Sequence, residues 1–294
     1  MKKEIGFTGM RHKITAFDFL VYGTMIFSLL VCIIPFIYMI TLSFASPKEI
    51  LQNEVGLFPK TFNLGAYKAV FNYPEFFQAY RNTLFYTTFG TFIALSLTIL
   101  FGYPLSKPFL RGRKIFLMMV ILTMFFSGGL IPTYLLVANL RLINTPLAIL
   151  VPFAIVPFNL IILISFFRGV PCEIEEAALI DGLGYYGILI RIVLPLSTAA
   201  IATIGLYYAV FFWNDWFFGL IYLKRSQYPV MLLLRNIVVG TTAVGEGAGS
   251  AEANNLGISI KAAIIIVSTL PIIILYPMLQ RFFIAGLTIG GVKG

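Results

Sequence analysis

The chain has 294 residues, of which 59% are hydrophobic and only 11% are charged, and its net charge is +9. A soluble globular domain has about 25% charged and about 45–50% apolar residues, so the composition argues against a soluble enzyme and a disordered chain. The basic residues are scattered between apolar runs, which also argues against a nucleic-acid-binding protein. We therefore predict an all-α, polytopic membrane protein.

Six segments of the chain are long and apolar enough to cross a bilayer. About 20 apolar residues are needed to cross about 30 Å of hydrocarbon, and a helix pairs every backbone amide within the segment. We predict six transmembrane helices at about 19–45, 82–106, 115–138, 145–167, 193–223 and 262–281. Together they would form a membrane domain at 19–285, between an N-terminal arm at 1–18 and a C-terminal tail at 286–294.

The positions of the basic residues predict the orientation of these spans. The segment before the first span holds Lys2, Lys3, Arg11 and Lys13, and the short loop after the second holds Lys107, Arg111, Arg113 and Lys114. Basic residues concentrate in short cytoplasmic segments, so both termini are expected in the cytoplasm. The first span is longer than the apolar core of a signal peptide, about 7–15 residues, and is kept as a helix.

The loop between the fourth and fifth spans is predicted to be cytoplasmic and is unusually acidic. Four of the 12 acidic residues lie within 173–181. Pro171 suits the first turn of a helix, and acidic residues after it favour the positive end of the helix dipole. Gly182 and Gly184 would end the helix. We predict a short surface helix at about 172–183, and the residues alone leave open an ordinary solvated loop or a helix that docks on another protein.

This loop carries a longer motif: Glu176-Ala177-Ala178, three residues, Gly182, nine residues, then Ile192-x-Leu194-Pro195. The motif resembles the EAA signature of ATP-binding-cassette (ABC) importer permeases. The sequence Trp213-Asn214-Asp215 and the ending at 280–294 resemble the maltose-permease type of carbohydrate importer. The basic arm, the stretch at 126–136 and the Gly-rich fifth loop are similar to permeases for complex or uronate-containing oligosaccharides.

The resemblance implies a set of partners and a location in the bacterial cytoplasmic membrane. Such permeases pair with a second homologous permease, rest on a cytoplasmic ATPase dimer and receive an oligosaccharide from an extracytoplasmic solute-binding protein. The short helix would be the coupling helix that docks in an ATPase cleft and drives alternating access. Its coupling residues would be Glu175, Glu176, Ala177, Ala178, Asp181 and Gly182, with Glu176 making the principal polar contact and both alanines allowing close docking.

Enzyme chemistry is not expected in this chain. The sequence has no G-x-x-x-x-G-K-[ST] phosphate-binding loop, so ATP and Mg²⁺ would be used by the partner ATPase and no cofactor would be bound here. Cys32 and Cys172 do not have the spacing of metal ligands, and no nucleophile–His–acid set is present.

The fifth predicted span holds the candidates for a sugar pathway. Asp215 is the sole carboxylate inside a predicted span, where an ionisable group costs about 2.5–3.5 kcal/mol and is a functional hypothesis by default. The pathway candidates are Tyr207, Tyr208, Trp213, Asn214, Asp215, Trp216 and, in the fourth span, Asn159. Asp215 and the tryptophans could instead lie in an outer aromatic belt, and Asn159 could bond a neighbouring helix. A further alternative is an ion-driven secondary transporter with Asp215 as the relay.

The fifth loop, at 224–261, is predicted to be an extended outer segment because its second half is rich in glycine and alanine. The resemblance to the maltose type implies that this loop contacts the binding protein. A spacer without a contact is the alternative.

Overall fold

The computed structural model describes residues 16–245 and 251–290, and throughout these residues the regular structure is helical. Most of the predicted N-terminal arm, residues 246–250 of the fifth loop and the last four residues of the predicted tail lie outside the described residues. The described parts fall into two compact units. One comprises residues up to 67 together with 251–263, and the other comprises 68–245 together with 264–290.

The first unit contains helices α1 (Ala16–Phe44) and α2 (Pro47–Leu51). Helix α2 begins with a capping box: Ser46 Oγ accepts from the Glu49 amide, and a Glu49 carboxylate oxygen accepts from the Ser46 amide, both at 3.3 Å. Thr61 donates to the other Glu49 oxygen at 2.8 Å. These bonds fix the chain that follows the first span, because they satisfy backbone groups that a helix start leaves unpaired.

Helix α3 (Gly65–Phe71) follows, and α4 (Phe76–Ser106) then opens the series of helices in the second unit. The later helices are α5 (Arg113–Phe125), α6 (Leu130–Asn139), α7 (Leu147–Leu150), α8 (Pro157–Arg168), α9 (Cys172–Ile180), α10 (Tyr185–Leu196), α11 (Thr198–Asn214), α12 (Phe217–Tyr222), α13 (Val230–Gly245) and α14 (Ala251–Gly290). Helix α10 includes a π-helical turn at Leu189–Val193.

The buried core of the second unit forms where α4, α8 and α11 pack together. Phe167, Ile204 and Tyr208 contribute side chains with almost no exposed surface. Gly90 lets α4 and α11 approach closely, since a Cβ atom at this position would lie 2.7 Å from the ring of Phe212. The long helix α4 is therefore the common packing partner in this unit.

Within residues 16–245 and 251–290, three helices could each cross a membrane: Phe17–Phe44, Phe76–Ser106 and Gly257–Leu275. Three bent helix pairs raise the number of candidate spans to six: α5 with α6, α8 with α9, and α10 with α11. The all-α fold is the one predicted from the sequence. The described residues provide the six predicted spans only if each bent pair is one span, and the pair of α8 with α9 includes the segment predicted as the coupling helix.

The predicted span at 115–138 is not one continuous helix. Helices α5 and α6 are separated by residues 126–129 and bent by 117°. Gly129 has a φ of +88°, which a helix cannot contain and which favours glycine. Hydropathy did not reveal the break because the separating residues, Phe126 to Gly129, carry no charge.

Two other predicted spans are also interrupted. The segment 145–167 contains the short α7 and then α8, which begins at Pro157; proline is favoured at the first position of a helix and disfavours a helix running through it. The segment 193–223 contains α11 and α12, separated at Asp215 and Trp216.

The prediction of an extended fifth loop is wrong for Val230–Gly245 and for the part from Ala251 onward, because both are helical. The first of these segments begins with apolar residues on a helical repeat, and the glycine and alanine content that suggested an extended chain lies mainly after it. The last helix also begins earlier than predicted, at Ala251 rather than 262.

Candidate functional site: helix α9 and its anchor

Helix α9 lies within the segment predicted for the coupling helix, 172–183, and both of its ends follow from the sequence. Pro171 lies immediately before the first turn rather than within it as expected, and Glu173 and Glu175 lie in that turn, near the positive end of the helix dipole. At the other end, the Leu183 amide donates to the Ala178 carbonyl and the Gly182 amide to the Leu179 carbonyl, at 3.0 and 3.1 Å. Gly182 has a φ of +85°, so the helix ends in a Schellman motif.

The two faces of α9 have different surroundings. Glu175 and Ala178 are buried, whereas Glu176, Ala177, Asp181 and Gly182 are exposed. Adjacent helical residues point about 100° apart, so Ala177 and Ala178 do not share one patch as expected. Ala178 packs in the core of this chain, and Ala177 is the alanine available to another protein.

Glu175 joins α9 to the end of α4. One carboxylate oxygen pairs with Lys107 Nζ, and the other accepts from the Tyr103 hydroxyl at 3.3 Å. Lys107 Nζ also lies 4.7 Å from the centroid of the Tyr103 ring. We call Glu175, Lys107 and Tyr103 the Glu175 anchor. The Glu175 and Lys107 side chains are each only 11% exposed, so the charges face one another rather than water.

In the sequence, Lys107 indicates only the orientation of the membrane spans, and no pattern distinguishes Tyr103. The two residues lie 68 and 72 positions before Glu175, so their proximity to it is a tertiary feature. Lys107 begins a short basic loop, but the sequence does not show that Glu175 is buried, so no signal in it pairs the two residues.

Two of the pathway candidates in α11 make structural hydrogen bonds. Tyr208 is fully buried, and its hydroxyl bonds Thr98 Oγ1 at 2.8 Å and accepts from the Val156 amide at 3.0 Å. Trp213 donates its indole N–H to the Ser268 carbonyl at 3.0 Å. These bonds tie α11 to its neighbours.

The Trp213 contact belongs to a wider arrangement around Pro271. Because proline has no amide hydrogen, the Val267 carbonyl in α14 lacks its usual helical donor. The Tyr80 hydroxyl donates to that carbonyl at 3.2 Å. The rings of Tyr80 and Trp213 meet edge to face at 5.8 Å, so side chains of α4 and α11 compensate for a proline in α14, as is common in membrane helices.

Asp215 has a specific structural task. Its two carboxylate oxygens accept from the amides of Phe218 and Gly219, each at 3.1 Å. The side chain thereby caps α12, whose first amides would otherwise lack partners. The break between α11 and α12 thus places the carboxylate where backbone donors are available, which explains an acidic residue in this apolar segment.

The remaining pathway candidates have different surroundings. Tyr207 is 46% exposed, and Asn214 is exposed with its amide donating to the Val210 carbonyl at 3.0 Å. Trp216 is partly exposed and lies under the guanidinium of Arg235, at 4.6 Å. Asn159 is buried in α8.

No protein-family model matches the chain, but individual proteins match it closely. It is 44% identical over 268 residues to protein LplC of Bacillus subtilis, with 90% of each chain covered. It is 41% identical over 284 residues to YtcP of the same organism, the polygalacturonan/rhamnogalacturonan transport system permease protein, covering 95% of this chain and 98% of that one.

A solved structure places this similarity in a wider family. The fold matches a chain in the crystal structure of a bacterial ABC transporter involved in the import of the acidic polysaccharide alginate, with a TM-score of 0.82 and 32% identity over 91% of this chain and 96% of that one. The chain belongs to the ABC transporter permeases. It is thus a permease subunit of a carbohydrate importer, and the resemblance seen in the EAA motif is confirmed.

The ABC permease assignment also bears on the alternative transport mechanism. An ion-driven secondary transporter was considered because of Asp215, yet both oxygens of this carboxylate are hydrogen-bonded to backbone amides. ABC permeases provide the membrane passage of an importer, and the helical chain described above fits that role. Both observations favour the ABC permease over the ion-driven alternative.

Proposed function

We propose that this permease imports acidic, uronate-containing oligosaccharides. The observation that carries the proposal is the shared substrate chemistry of its relatives: one is named for polygalacturonan and rhamnogalacturonan transport, and another belongs to an importer of the acidic polysaccharide alginate. Both names describe polymers that contain uronic acids.

The permease would work in an assembly with a second homologous permease, an ATPase dimer that uses ATP and Mg²⁺, and an extracytoplasmic binding protein. Helix α9 would dock on one ATPase subunit through its exposed face. Glu176 supplies a carboxylate for an arginine or lysine of the ATPase, and Ala177 allows close approach.

In the proposed orientation, α9 and both termini face the cytoplasm. The four basic residues between Lys107 and Lys114 support this side assignment, because short cytoplasmic loops are enriched in lysine and arginine. ATP-driven closure of the ATPase dimer would move α9 and open the permease pair toward the binding protein. Hydrolysis and release would return the passage to the inward-facing state.

For the sugar pathway, we retain the exposed candidates Tyr207, Asn214 and Trp216. Their exposure in the single chain leaves them available to a partner or to the passage. Tyr208, Trp213 and Asp215 already have hydrogen-bonding partners within the chain, so we assign them structural roles. Buried Asn159 is retained as a helix-packing residue.

The docking role is tested by Glu176→Lys in the complete importer. We expect the variant to reach the membrane at wild-type levels while losing both ATPase co-purification and uptake, because the exposed contact has its charge reversed. The control is Glu54→Lys, the same change at an exposed glutamate outside α9. Normal uptake and ATPase binding in the Glu176 variant would overturn the docking role.

The substrate class is tested in proteoliposomes that contain the complete importer and its binding protein. Uptake of labelled trigalacturonate is compared with that of labelled maltotriose, a neutral oligosaccharide of equal length. We expect ATP-dependent uptake of the acidic probe and little uptake of the neutral one. Preferential uptake of maltotriose would contradict the proposed substrate class while leaving the ABC importer assignment intact.

A further inference from the structure

Helix α9 is joined to the rest of the chain by two segments that contain glycine. Gly169 and Pro171 lie between α8 and α9, which are bent by 71°. Gly182 and Gly184 lie between α9 and α10. If the covalent links acted alone, a push on α9 would rotate it about these segments, because glycine offers little resistance to changes in backbone angles.

The Glu175 anchor supplies a second, non-covalent connection. Lys107 immediately follows α4, and Tyr103 lies in its last turn, so Glu175 contacts α4 through an ion pair and a hydrogen bond. Tyr103 also packs edge-on against Phe167 in the last turn of α8, at 6.3 Å between ring centroids. The ends of α4, α8 and α9 thus meet at the anchor.

Burial makes this connection strong. A surface ion pair contributes little because water competes with it, but Glu175 and Lys107 are largely removed from water. Separating them would leave one charge buried without its partner, which is strongly unfavourable. The pair therefore resists movement of α9 relative to α4.

Helix α4 is suited to carry such a movement across the membrane. It is continuous over 31 residues. It is packed against α11 at Gly90 and Phe212 and bonded to it through Thr98 and Tyr208. Because packed helices behave as rigid bodies, a displacement at the Lys107 end would reach the opposite end of α4 together with α11.

We propose that Glu175 and Lys107 are positioning residues that couple α9 to α4, so that ATPase movement is passed to the membrane helices through the Glu175 anchor. This inference rests on the proposed docking of α9 on the ATPase. Two neighbouring glutamates of α9 then have different roles. Glu176 faces the ATPase, and Glu175 binds Lys107 and Tyr103 at the end of α4.

The test compares Glu175→Gln, Lys107→Met and the charge-swapped double variant Lys107→Glu/Glu175→Lys in the reconstituted importer. ATP hydrolysis and trigalacturonate uptake are measured on the same samples. We expect each single variant to assemble with the ATPase and hydrolyse ATP but to lower the uptake per ATP hydrolysed by about tenfold, and the swapped variant to recover most of it. The matched controls are Glu173→Gln and Lys114→Met, which are exposed residues of α9 and of the first turn of α5.

A purely structural role would lower protein yield, ATP hydrolysis and uptake together, leaving uptake per ATP unchanged. That result, or a swapped variant that couples no better than the single ones, would overturn the proposal. If the single variants fail to fold, Tyr103→Phe provides a second test, because it removes one hydrogen bond from the anchor. Normal uptake per ATP hydrolysed in that folded variant counts against the proposal. If the wild-type permease binds no ATPase, the proposed docking fails instead.

Discussion

Phe212 occupies the space that a side chain at position 90 would need: a Cβ atom on Gly90 would lie 2.7 Å from Phe212 Cε2. The contact joins α4 to α11 within the buried core, so separating the two helices here would leave a cavity. We expect Gly90→Ala to lower the stability of the detergent-solubilised permease by about 1–3 kcal/mol, the usual effect of overpacking. Thermal unfolding measures it.

Gly205→Ala is the matched control for this prediction, since a Cβ atom there meets Leu95 at an ordinary 3.5 Å. The double variant Gly90→Ala/Phe212→Leu should recover part of the lost stability, because leucine frees space. An unchanged melting temperature for Gly90→Ala would contradict the close packing of α4 and α11.

Gly182 is predicted to be required for its backbone conformation rather than for space. Its φ is +85°, although a Cβ atom would meet nothing within 4 Å. Gly182→Ala should therefore destabilise the end of α9 by about 1–2 kcal/mol through left-handed strain and weaken ATPase co-purification. Gly184→Ala is the control, because Gly184 has an ordinary φ of −77°. Equal effects of the two variants would argue against strain as the cause.

Tyr208 distinguishes a structural tyrosine from a sugar-binding one. Tyr208→Phe removes the hydroxyl that accepts from the Val156 amide and bonds Thr98. An unsatisfied buried donor costs about 1–3 kcal/mol, so we expect a lower melting temperature but little change in the Michaelis constant for uptake. Tyr207→Phe, at the exposed neighbouring position, should leave stability unchanged. A large rise in the Michaelis constant of the Tyr208 variant, with normal stability, would return this residue to the sugar pathway.

Asp215 should tolerate loss of charge better than loss of its acceptor oxygens. Asp215→Ala removes the cap of α12, and loss of such a cap costs about 0.5–2 kcal/mol. Asp215→Asn keeps one acceptor oxygen for the Phe218 or Gly219 amide and should retain most uptake. Uptake by proteoliposomes, with thermal unfolding in parallel, gives the comparison. Complete loss of uptake in a stable Asn variant would instead support an ion relay.

Sequence patterns predicted the structural features that depend on residues close together along the chain. The charge-free windows gave the candidate spans, and the glycine at 182 correctly indicated where α9 ends. By contrast, the separation of α5 from α6 depends on the backbone conformation at Gly129, and hydropathy is insensitive to it. Periodicity also could not show which alanine faces outward, because α9 is short and its hydrophobic pattern weak.

The Glu175 anchor is a contact between residues far apart along the chain, which sequence patterns do not reveal. Composition marks Glu175 as one acid among four in its loop, yet its burial results from the approach of Lys107 across 68 residues of chain. Asp215 shows the reverse case: the sequence identified an unusual carboxylate, and the helix break at this position, which supplies its backbone donors, became visible only in three dimensions.

The capping of Asp215 has an electrostatic consequence for the passage. It is the sole carboxylate within the predicted spans, and its oxygens accept from two backbone amides. The two amide groups therefore partly balance the negative charge of Asp215. If the proposed acidic substrate passes near Asp215, it meets weaker repulsion there than an uncapped aspartate at the same position would exert.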